Sequence, residues 1–270
     1  MYSLHLECSP EDVDFVSAEL WEYGTQGIRE LDYGDKTRLI AGFERNARRL
    51  ELMQKFAAYS PAWEQEDAID WVQHTHDAWP PREVGQRIFL VPLWSEELTP
   101  QGRVRVVHNP GLACGTGEHP CTQLALIAME ENVTPGARVV DIGAGSGVLS
   151  VAALILGARN IVATDIDEAA IPAVRENFEL NGVSGGLVVG SADCLRDGCA
   201  DLTIANISGT VLLGILEDLV RITSPEGWLI LTGFPEAEFA YFRNVFPESV
   251  VTAINEWRCL VTKPSLRGAL

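Results

Sequence analysis

The feature of this 270-residue sequence that most constrains its fold is an apolar run followed directly by a glycine-rich turn. Residues 138–150 read Arg-Val-Val-Asp-Ile-Gly-Ala-Gly-Ser-Gly-Val-Leu-Ser. Val139–Ile142 has the composition of a buried strand, and a helix is predicted to begin at about Gly147. Glycines allow positive φ and a close approach of the backbone to a ligand, and the helix N-terminus offers unpaired N–H groups. The sequence therefore predicts a ligand-binding turn between a strand and a helix.

Two kinds of ligand suit such a turn, and the spacing of the glycines favours one of them. A dinucleotide-binding turn follows the pattern GxGxxG, whose last glycine would fall where this chain has Val148. That glycine allows close helix–strand packing behind a pyrophosphate, which a ligand without phosphate does not require. Asp141, two residues before the turn, also suits a positively charged cofactor. The pattern favours such a cofactor, with dinucleotide binding and a purely structural turn as alternatives.

From Ala137 onward the sequence alternates strand and helix patterns. This alternation predicts a doubly wound, mostly parallel, Rossmann-like α/β sheet with helices on both faces. The strand after the turn ends in Asp165, 22 residues beyond Gly143, where a carboxylate can bind both hydroxyls of a ribose. A later strand, 201–204, leads into Asn206. Ligands bind at the carboxyl ends of strands in such sheets, so both side chains are candidate site residues.

The first 70 residues predict a separate small module with the element order β-α-β-β-α-β, which is that of a ferredoxin-like α+β fold. The predicted elements are, in order, residues 2–8, 10–23, 27–33, 36–43, 45–59 and 62–69. We therefore expect a ferredoxin-like domain at 1–70, a tryptophan-rich linking segment with two strands at 71–108, and the α/β domain at 109–270.

Charge and composition restrict the partners and the location. The formal net charge of −18 argues against direct nucleic-acid binding, because phosphates would be repelled. The first 70 residues hold 7 basic and 15 acidic residues, a net charge of −8, so a basic protein is the expected partner.

The absence of a membrane-length apolar run or a signal-peptide pattern predicts a cytoplasmic protein without membrane contact. Six scattered cysteines without a CxxC pair predict reduced thiols and no metal site.

The segment upstream of the glycine turn narrows the prediction. Residues 109–122 read Asn-Pro-Gly-Leu-Ala-Cys-Gly-Thr-Gly-Glu-His-Pro-Cys-Thr. Together with the turn, Asn206-Ile207 and Glu256-Trp257, this segment resembles the PrmA family, the methyltransferases of ribosomal protein eleven of the large subunit. The resemblance runs from about residue 70 to residue 263, and the N-terminal element order matches the family's substrate-recruiting domain.

The resemblance implies a class I fold and a protein N-methyltransferase that uses S-adenosyl-L-methionine. Its substrate would be ribosomal protein eleven, free or on the ribosome, modified at lysine side chains, the N-terminal amine, or both. The implied catalytic residues are Asn206, which holds the target nitrogen, and His119, which lies beside it. The predicted cofactor contacts are Thr122, Gly143, Gly145, Asp165, Ala192 and Asn206.

The chain departs from the family pattern at Cys114 and Cys121, which replace Phe and Thr, and at Ser208-Gly209, which replaces Leu-Ala. The pattern places these changes next to the substrate nitrogen, so they favour an alternative, a methyltransferase for another protein or a small molecule. A cofactor-binding protein without catalysis is a further alternative. The presence of Asn206 and His119 argues against it.

Overall fold

The computed structural model describes residues 2–34, 36–43, 48–65, 79–110 and 117–265. The chain divides into two compact units, Met1–Ala78 and Trp79–Leu270. The domain boundary predicted near residue 70 falls in 66–78, outside the described residues. The two strands predicted within 71–108 belong to the second unit.

The first unit has the predicted order β-α-β-β-α-β. Its elements are β1 (Tyr2–Cys8), α1 (Val13–Glu22), β2 (Gly27–Asp32), β3 (Thr37–Phe43), α2 (Arg49–Lys55) and β4 (Ala62–Gln65). The four strands form an antiparallel sheet in the order β2-β3-β1-β4, which is the ferredoxin-like arrangement. Both helices contribute side chains to one core against this sheet, among them Val16, Leu20 and Leu52.

The second unit has ten strands among the described residues, seven of which form one large sheet. Its strands are β5 (Arg82–Val84), β6 (Ile88–Pro92), β7 (Val104–His108), β8 (Arg138–Ile142), β9 (Asn160–Asp165), β10 (Gly186–Val189), β11 (Ala200–Asn206), β12 (Thr223–Pro235), β13 (Val250–Ile254) and β14 (Trp257–Thr262). Its helices are α3 (Pro120–Asn132), α4 (Val148–Ile155), α5 (Ala170–Leu180), α6 (Gly209–Gly214), α7 (Leu216–Ile222) and α8 (Glu236–Val245). The large sheet has the order β10-β9-β8-β11-β12-β14-β13, parallel except that β14 runs antiparallel to both neighbours.

Helices cover both faces of this sheet, as the alternation of strands and helices predicts. On β8, Val139 joins the core with α3, α4 and α5, whereas Val140 and Ile142 join the core with α6, α7 and α8. Strands β9 and β10 follow β8 on one side, and β11 and β12 lie on the other. The order in which successive strands are added to the sheet therefore reverses between the parallel neighbours β8 and β11. At such a point a crevice opens at the carboxyl ends of the two strands.

Strands β5, β6 and β7 form a second, three-stranded sheet. Glu130, a residue of α3, links this sheet to the helix. The Glu130 carboxylate accepts hydrogen bonds from the backbone N–H groups of Gln86, Arg87 and Ile88 at 2.8–3.0 Å. Gly85 has a φ of +56°, and a Cβ there would lie 2.5 Å from this carboxylate. Glycine at this position is therefore needed both for the backbone conformation and for the approach of Glu130.

The structure shortens one predicted element. The helix predicted at 45–59 is α2 at Arg49–Lys55, followed by a 3₁₀ turn at Ala57–Tyr59, and 44–47 are outside the described residues. The strand predicted at 62–69 is described as far as Gln65. No helix in the described part of the chain combines the length and the apolar character needed to span a membrane.

Candidate active site

The glycine turn after β8 forms one wall of a crevice. Gly143, Gly145 and Gly147 have φ values of +72°, +54° and +79°, which side chains rarely adopt. A Cβ on Gly143 would collide with the side chain of Ile207, and one on Gly147 would lie 2.7 Å from Val174 Cγ1. The turn therefore needs glycine at both positions, and it presents bare backbone to the crevice.

Asp165, at the end of β9, lies against the same turn. Its carboxylate accepts the N–H of Gly145 at 2.9 Å and that of Asp167 at 3.0 Å. The turn is fixed to β9 a second time, because the N–H groups of Gly143 and Ala144 both donate to the Thr164 carbonyl. Asp165 thus occupies the strand end at which its sequence position predicts a ribose ligand.

The opposite wall comes from the beginning of α3 and the end of β11. The Asn206 side-chain Nδ2 donates to the Thr122 hydroxyl at 3.2 Å, and Thr122 is 1% exposed. His119 is the N-cap residue of α3, and its Nδ1 accepts the N–H of Cys121 at 3.3 Å. The His119 ring meets Trp257 edge to face, with 4.5 Å between ring centroids. The sequence indicates no role for Trp257, and the structure places its ring against His119.

A cavity of about 300 Å³ lies between the two walls. It is lined by His119, Thr122, Gly143, Ala144, Gly145, Val148, Leu149 and Asn206. The structure therefore brings together five of the residues predicted from the sequence. The apolar lining from Val148 and Leu149 was not predicted, because residues in the first turn of a helix read as core.

Two of the predicted contacts, Asp165 and Ala192, are not among the residues that line the cavity. Asp165 adjoins it through Gly145, whereas Ala192 has no such contact with the glycine turn among the described residues. Ala192 is completely buried in a 3₁₀ turn after β10, and its side chain packs among the core residues of α6, α7 and α8. Its carbonyl oxygen accepts a hydrogen bond from Arg221 at 3.0 Å. Ala192 does not line the cavity, so any contact with a cofactor there would have to come from its neighbours in the turn.

The position of Asp141 also differs from the expectation. Asp141 is completely buried, and its Oδ2 accepts a hydrogen bond from the Ser150 hydroxyl at 2.6 Å, while Oδ1 has no hydrogen-bond partner among the described residues. Burial raises the pKa of this carboxyl from 3.8 to about 6, and hydrogen bonding to Ser150 partly opposes the shift. Asp141 therefore turns toward α4 and does not line the cavity.

The ionisation of Asp141 should affect how the stability of the protein changes with pH. Because the folded pKa exceeds the unfolded one, Asp141 destabilises the fold increasingly as pH rises from about 4 to 6, by up to about 3 kcal/mol. We expect Asp141→Asn to raise the melting temperature relative to the parent protein by an amount that grows over this range and then levels off. Thermal melts between pH 4 and 8 measure the difference. A difference that is constant with pH would contradict the assigned ionisation.

Asp201→Asn is the matched control, since the pKa of Asp201 is lowered to about 2 by its hydrogen bond to Arg138. That carboxylate stabilises the fold above the unfolded pKa and loses the contribution as pH falls toward 2. The control should therefore destabilise the protein at neutral pH, and Asp141→Asn should do the opposite.

Two of the residues that depart from the family pattern, Cys121 and Gly209, are buried and do not line the cavity. Cys121 is 1% exposed, and burial raises the pKa of its thiol. Its side chain is part of the core beneath α3 and does not line the cavity, contrary to the expectation. Gly209 is also buried, whereas Ser208 is exposed. Cys114 lies outside the described residues.

Strand order, glycine turn and crevice together define a class I methyltransferase domain. A search of solved structures agrees with this class. The ribosomal protein L11 methylase of Lactobacillus delbrueckii subsp. bulgaricus is 28% identical with a TM-score of 0.64, covering 69% of this chain and all of that one. The 16S rRNA methyltransferase RsmC of T. thermophilus, at 16% identity and a TM-score of 0.50 over 97% of this chain and 64% of that one, shares the fold alone.

Sequence comparison identifies the family. A family model described as ribosomal protein L11 methyltransferase (PrmA) matches residues 10–264. The ribosomal protein L11 methyltransferase of Exiguobacterium sp. is 33% identical, covering 94% of this chain and 88% of that protein. The one of Symbiobacterium thermophilum is 40% identical, covering 83% of this chain and 71% of that protein. The chain belongs to the ribosomal protein L11 methyltransferase family, which confirms the resemblance found in the sequence.

Proposed function

We propose that this enzyme transfers methyl groups from S-adenosyl-L-methionine to amino groups of ribosomal protein L11, on lysine side chains, the N-terminal amine, or both. The observation that carries the proposal is the cavity in which the glycine turn faces the Asn206–Thr122 pair. One wall is suited to a cofactor and the other to an amine. Membership in the ribosomal protein L11 methyltransferase family indicates L11 as the substrate.

The crevice suits the cofactor in two respects. A side chain on Gly143 would collide with Ile207, so the backbone there is bare, as an approaching ligand requires. The Asp165 carboxylate adjoins the turn through Gly145 and offers oxygen acceptors for a ribose. Gly143, Gly145, Thr122 and Asp165 would hold the cofactor, which supplies an activated methyl group when bound.

The remaining task of the protein is to present an amine. A lysine ammonium has a reference pKa near 10.4 and must lose a proton before it can act as a nucleophile. Asn206 uses its Nδ2 to donate to Thr122, which leaves the side-chain oxygen to accept an N–H of the amine. Thr122 therefore fixes the orientation of the amide, and His119, held against Trp257, shapes the entrance.

The first unit offers a surface for docking the protein substrate. Helix α1 buries Val16 and Leu20, whereas Phe15 is 61% and Trp21 is 55% exposed on its other side. Ala18 lies between them and is also exposed. We define Phe15, Ala18 and Trp21 as the α1 surface.

The charges around the α1 surface indicate what binds there. Helix α1 contains no basic residue, and the exposed acids Glu11 and Glu22 flank the aromatic residues in the sequence. Lys55 of α2 contacts α1, where it pairs with Glu19. Apolar groups framed by like charges are typical of a binding site for a protein of opposite charge. We propose that the α1 surface docks a basic segment of the protein substrate.

The double substitution Phe15→Ala and Trp21→Ala is expected to raise the KM for the protein substrate at least about tenfold, because aromatic anchors contribute most to such interfaces. The turnover number and the affinity for S-adenosylhomocysteine should stay within about twofold, since α1 belongs to the other unit. Steady-state kinetics and calorimetry measure both. Tyr241→Ala, at a side chain that is 61% exposed on α8, is the matched control and should leave KM unchanged. An unchanged KM in the double variant would show that the α1 surface takes no part.

Transfer of labelled methyl groups tests the proposed function directly. The protein and labelled S-adenosylmethionine are incubated with purified large-subunit ribosomal proteins from a methyl-deficient strain, and L11 is expected to carry the label. A different labelled protein would favour the alternative raised by the family departures. Cofactor binding without any transfer would instead indicate a binding protein. Since the proposed substrate is a ribosomal protein, we place the reaction in the cytoplasm.

A further inference from the structure

The two walls of the cavity come from distant parts of the sequence. The buried side-chain amide of Asn177 contacts both the glycine turn and Asn109, the residue after β7. Asn177 lies on α5 and is 1% exposed. Its Nδ2 donates to the carbonyl oxygen of Ser146 at 2.7 Å, and its Oδ1 accepts the N–H of Asn109 at 2.7 Å. Ser146 belongs to the glycine turn. Asn109 begins the segment that leads to His119 and Thr122.

The contacts around Asn177 make this connection stiff. Gly147, beside Ser146, packs so closely on Val174 that a Cβ would lie 2.7 Å from its Cγ1. At the other end, the Asn109 side chain donates to Glu176 at 2.8 Å. Helix α5 therefore holds the glycine turn and the beginning of the 109–122 segment at the same time, and Asn177 is the residue that contacts both.

Asn181, one helical turn later, has a different set of partners. It accepts the N–H of Val107 at 2.8 Å and donates to the Val107 carbonyl at 2.6 Å, so it pairs with β7 much as another strand would. It does not contact the glycine turn. The two asparagines thus share a helix and a chemistry, but only Asn177 connects the parts of the site.

We infer that Asn177 is a positioning residue that couples the cofactor turn to Asn109, the residue after β7 from which the chain runs on to His119 and Thr122. Both hydrogen bonds use one planar amide, so a shift of the Ser146 carbonyl is transmitted to Asn109. A ligand that fixes the glycine turn therefore also fixes the start of this segment. The inference rests on the proposed function, since it requires S-adenosylmethionine to bind at the turn.

Hydrogen–deuterium exchange with and without S-adenosylhomocysteine tests the coupling in the wild-type protein. The ligand is expected to slow exchange at least about fivefold in the peptide containing Gly145–Gly147 and also in the peptide containing Asn109. Protection of the glycine turn with unchanged exchange at Asn109 would overturn the role of Asn177 alone. A wild-type protein that does not bind S-adenosylhomocysteine would overturn the proposed function, and the role of Asn177 with it.

The variants Asn177→Ala and Asn181→Ala separate coupling from simple stabilisation. Both should lower the melting temperature, because each removes a side chain that makes several hydrogen bonds. Only Asn177→Ala should raise the dissociation constant for S-adenosylhomocysteine, by at least about tenfold, and remove the protection at Asn109. Equal effects of the two variants on ligand affinity would show that Asn177 only stabilises the fold. If Asn177→Ala does not fold, the wild-type exchange experiment still decides the question.

Discussion

Asn206→Ala is expected to lower the turnover number for the protein substrate at least about tenfold, because the variant loses the group that orients the amine. The amide is fixed in the parent protein by its 3.2 Å hydrogen bond to Thr122, so it needs no reorganisation when the amine arrives. Single-turnover rates at saturating cofactor isolate the transfer step. Calorimetry with S-adenosylhomocysteine should show that the variant still binds the ligand.

Thr122→Val provides a control of matched shape for this prediction. It retains the volume of the side chain and removes the hydroxyl that Asn206 contacts. At saturating cofactor, where a weaker contact between Thr122 and the cofactor does not limit the rate, the rate should fall in the same direction but by less. The double variant should then be no slower than Asn206→Ala alone, because the threonine acts on the amine through the asparagine. Full activity of Asn206→Ala would refute the role assigned to it.

Gly143→Ala is expected to weaken binding of S-adenosylhomocysteine at least about thirtyfold. Alanine at a φ of +72° is strained by roughly 1–2 kcal/mol, and its Cβ would collide with Ile207. The turn must move to relieve the collision, and it then no longer lies opposite Thr122 and Asn206. Calorimetric titration measures the dissociation constant, and circular dichroism checks that the variant is folded.

Gly136→Ala separates backbone strain from the collision. Gly136 has a φ of +83°, but a Cβ there would lie within 4 Å of no atom in the described part of the chain. This control should lose a similar amount of stability from strain and keep the affinity for the ligand. Adding Ile207→Ala to Gly143→Ala should recover part of the affinity, because it removes the obstruction. Unaltered binding by Gly143→Ala would mean that the ligand does not approach the turn.

The parts of the fold that could be predicted from the sequence are those in which local pattern and packing agree. The run Val139–Ile142 is apolar because a central parallel strand is buried on both faces, so its pattern is unambiguous. The glycines that follow are needed by the backbone itself, as the positive φ of Gly143 shows. Asn206 could be placed because the order of strands puts it at the carboxyl end of β11, beside that turn.

The rest depends on side-chain directions, which the sequence does not contain. Asp141 looked like a cofactor ligand from its position, but its carboxylate turns to Ser150 and is buried. Cys121 looked like a change at the substrate, but it faces the core under α3. Asn177 gave no signal of its own, because a polar residue in an amphipathic helix is usually on the surface. Its partners, Ser146 and Asn109, are 31 and 68 residues away.

The central claim is that the crevice between the glycine turn and the Asn206–Thr122 pair binds an adenosyl sulfur compound next to the amine site. A crystal structure of the protein with S-adenosylhomocysteine tests it most directly. We expect the ligand in this cavity, with its ribose hydroxyls on Asp165 and its sulfur on the side of Asn206. A ligand bound elsewhere, or an Asp165 carboxylate directed away from the ribose, would contradict the account.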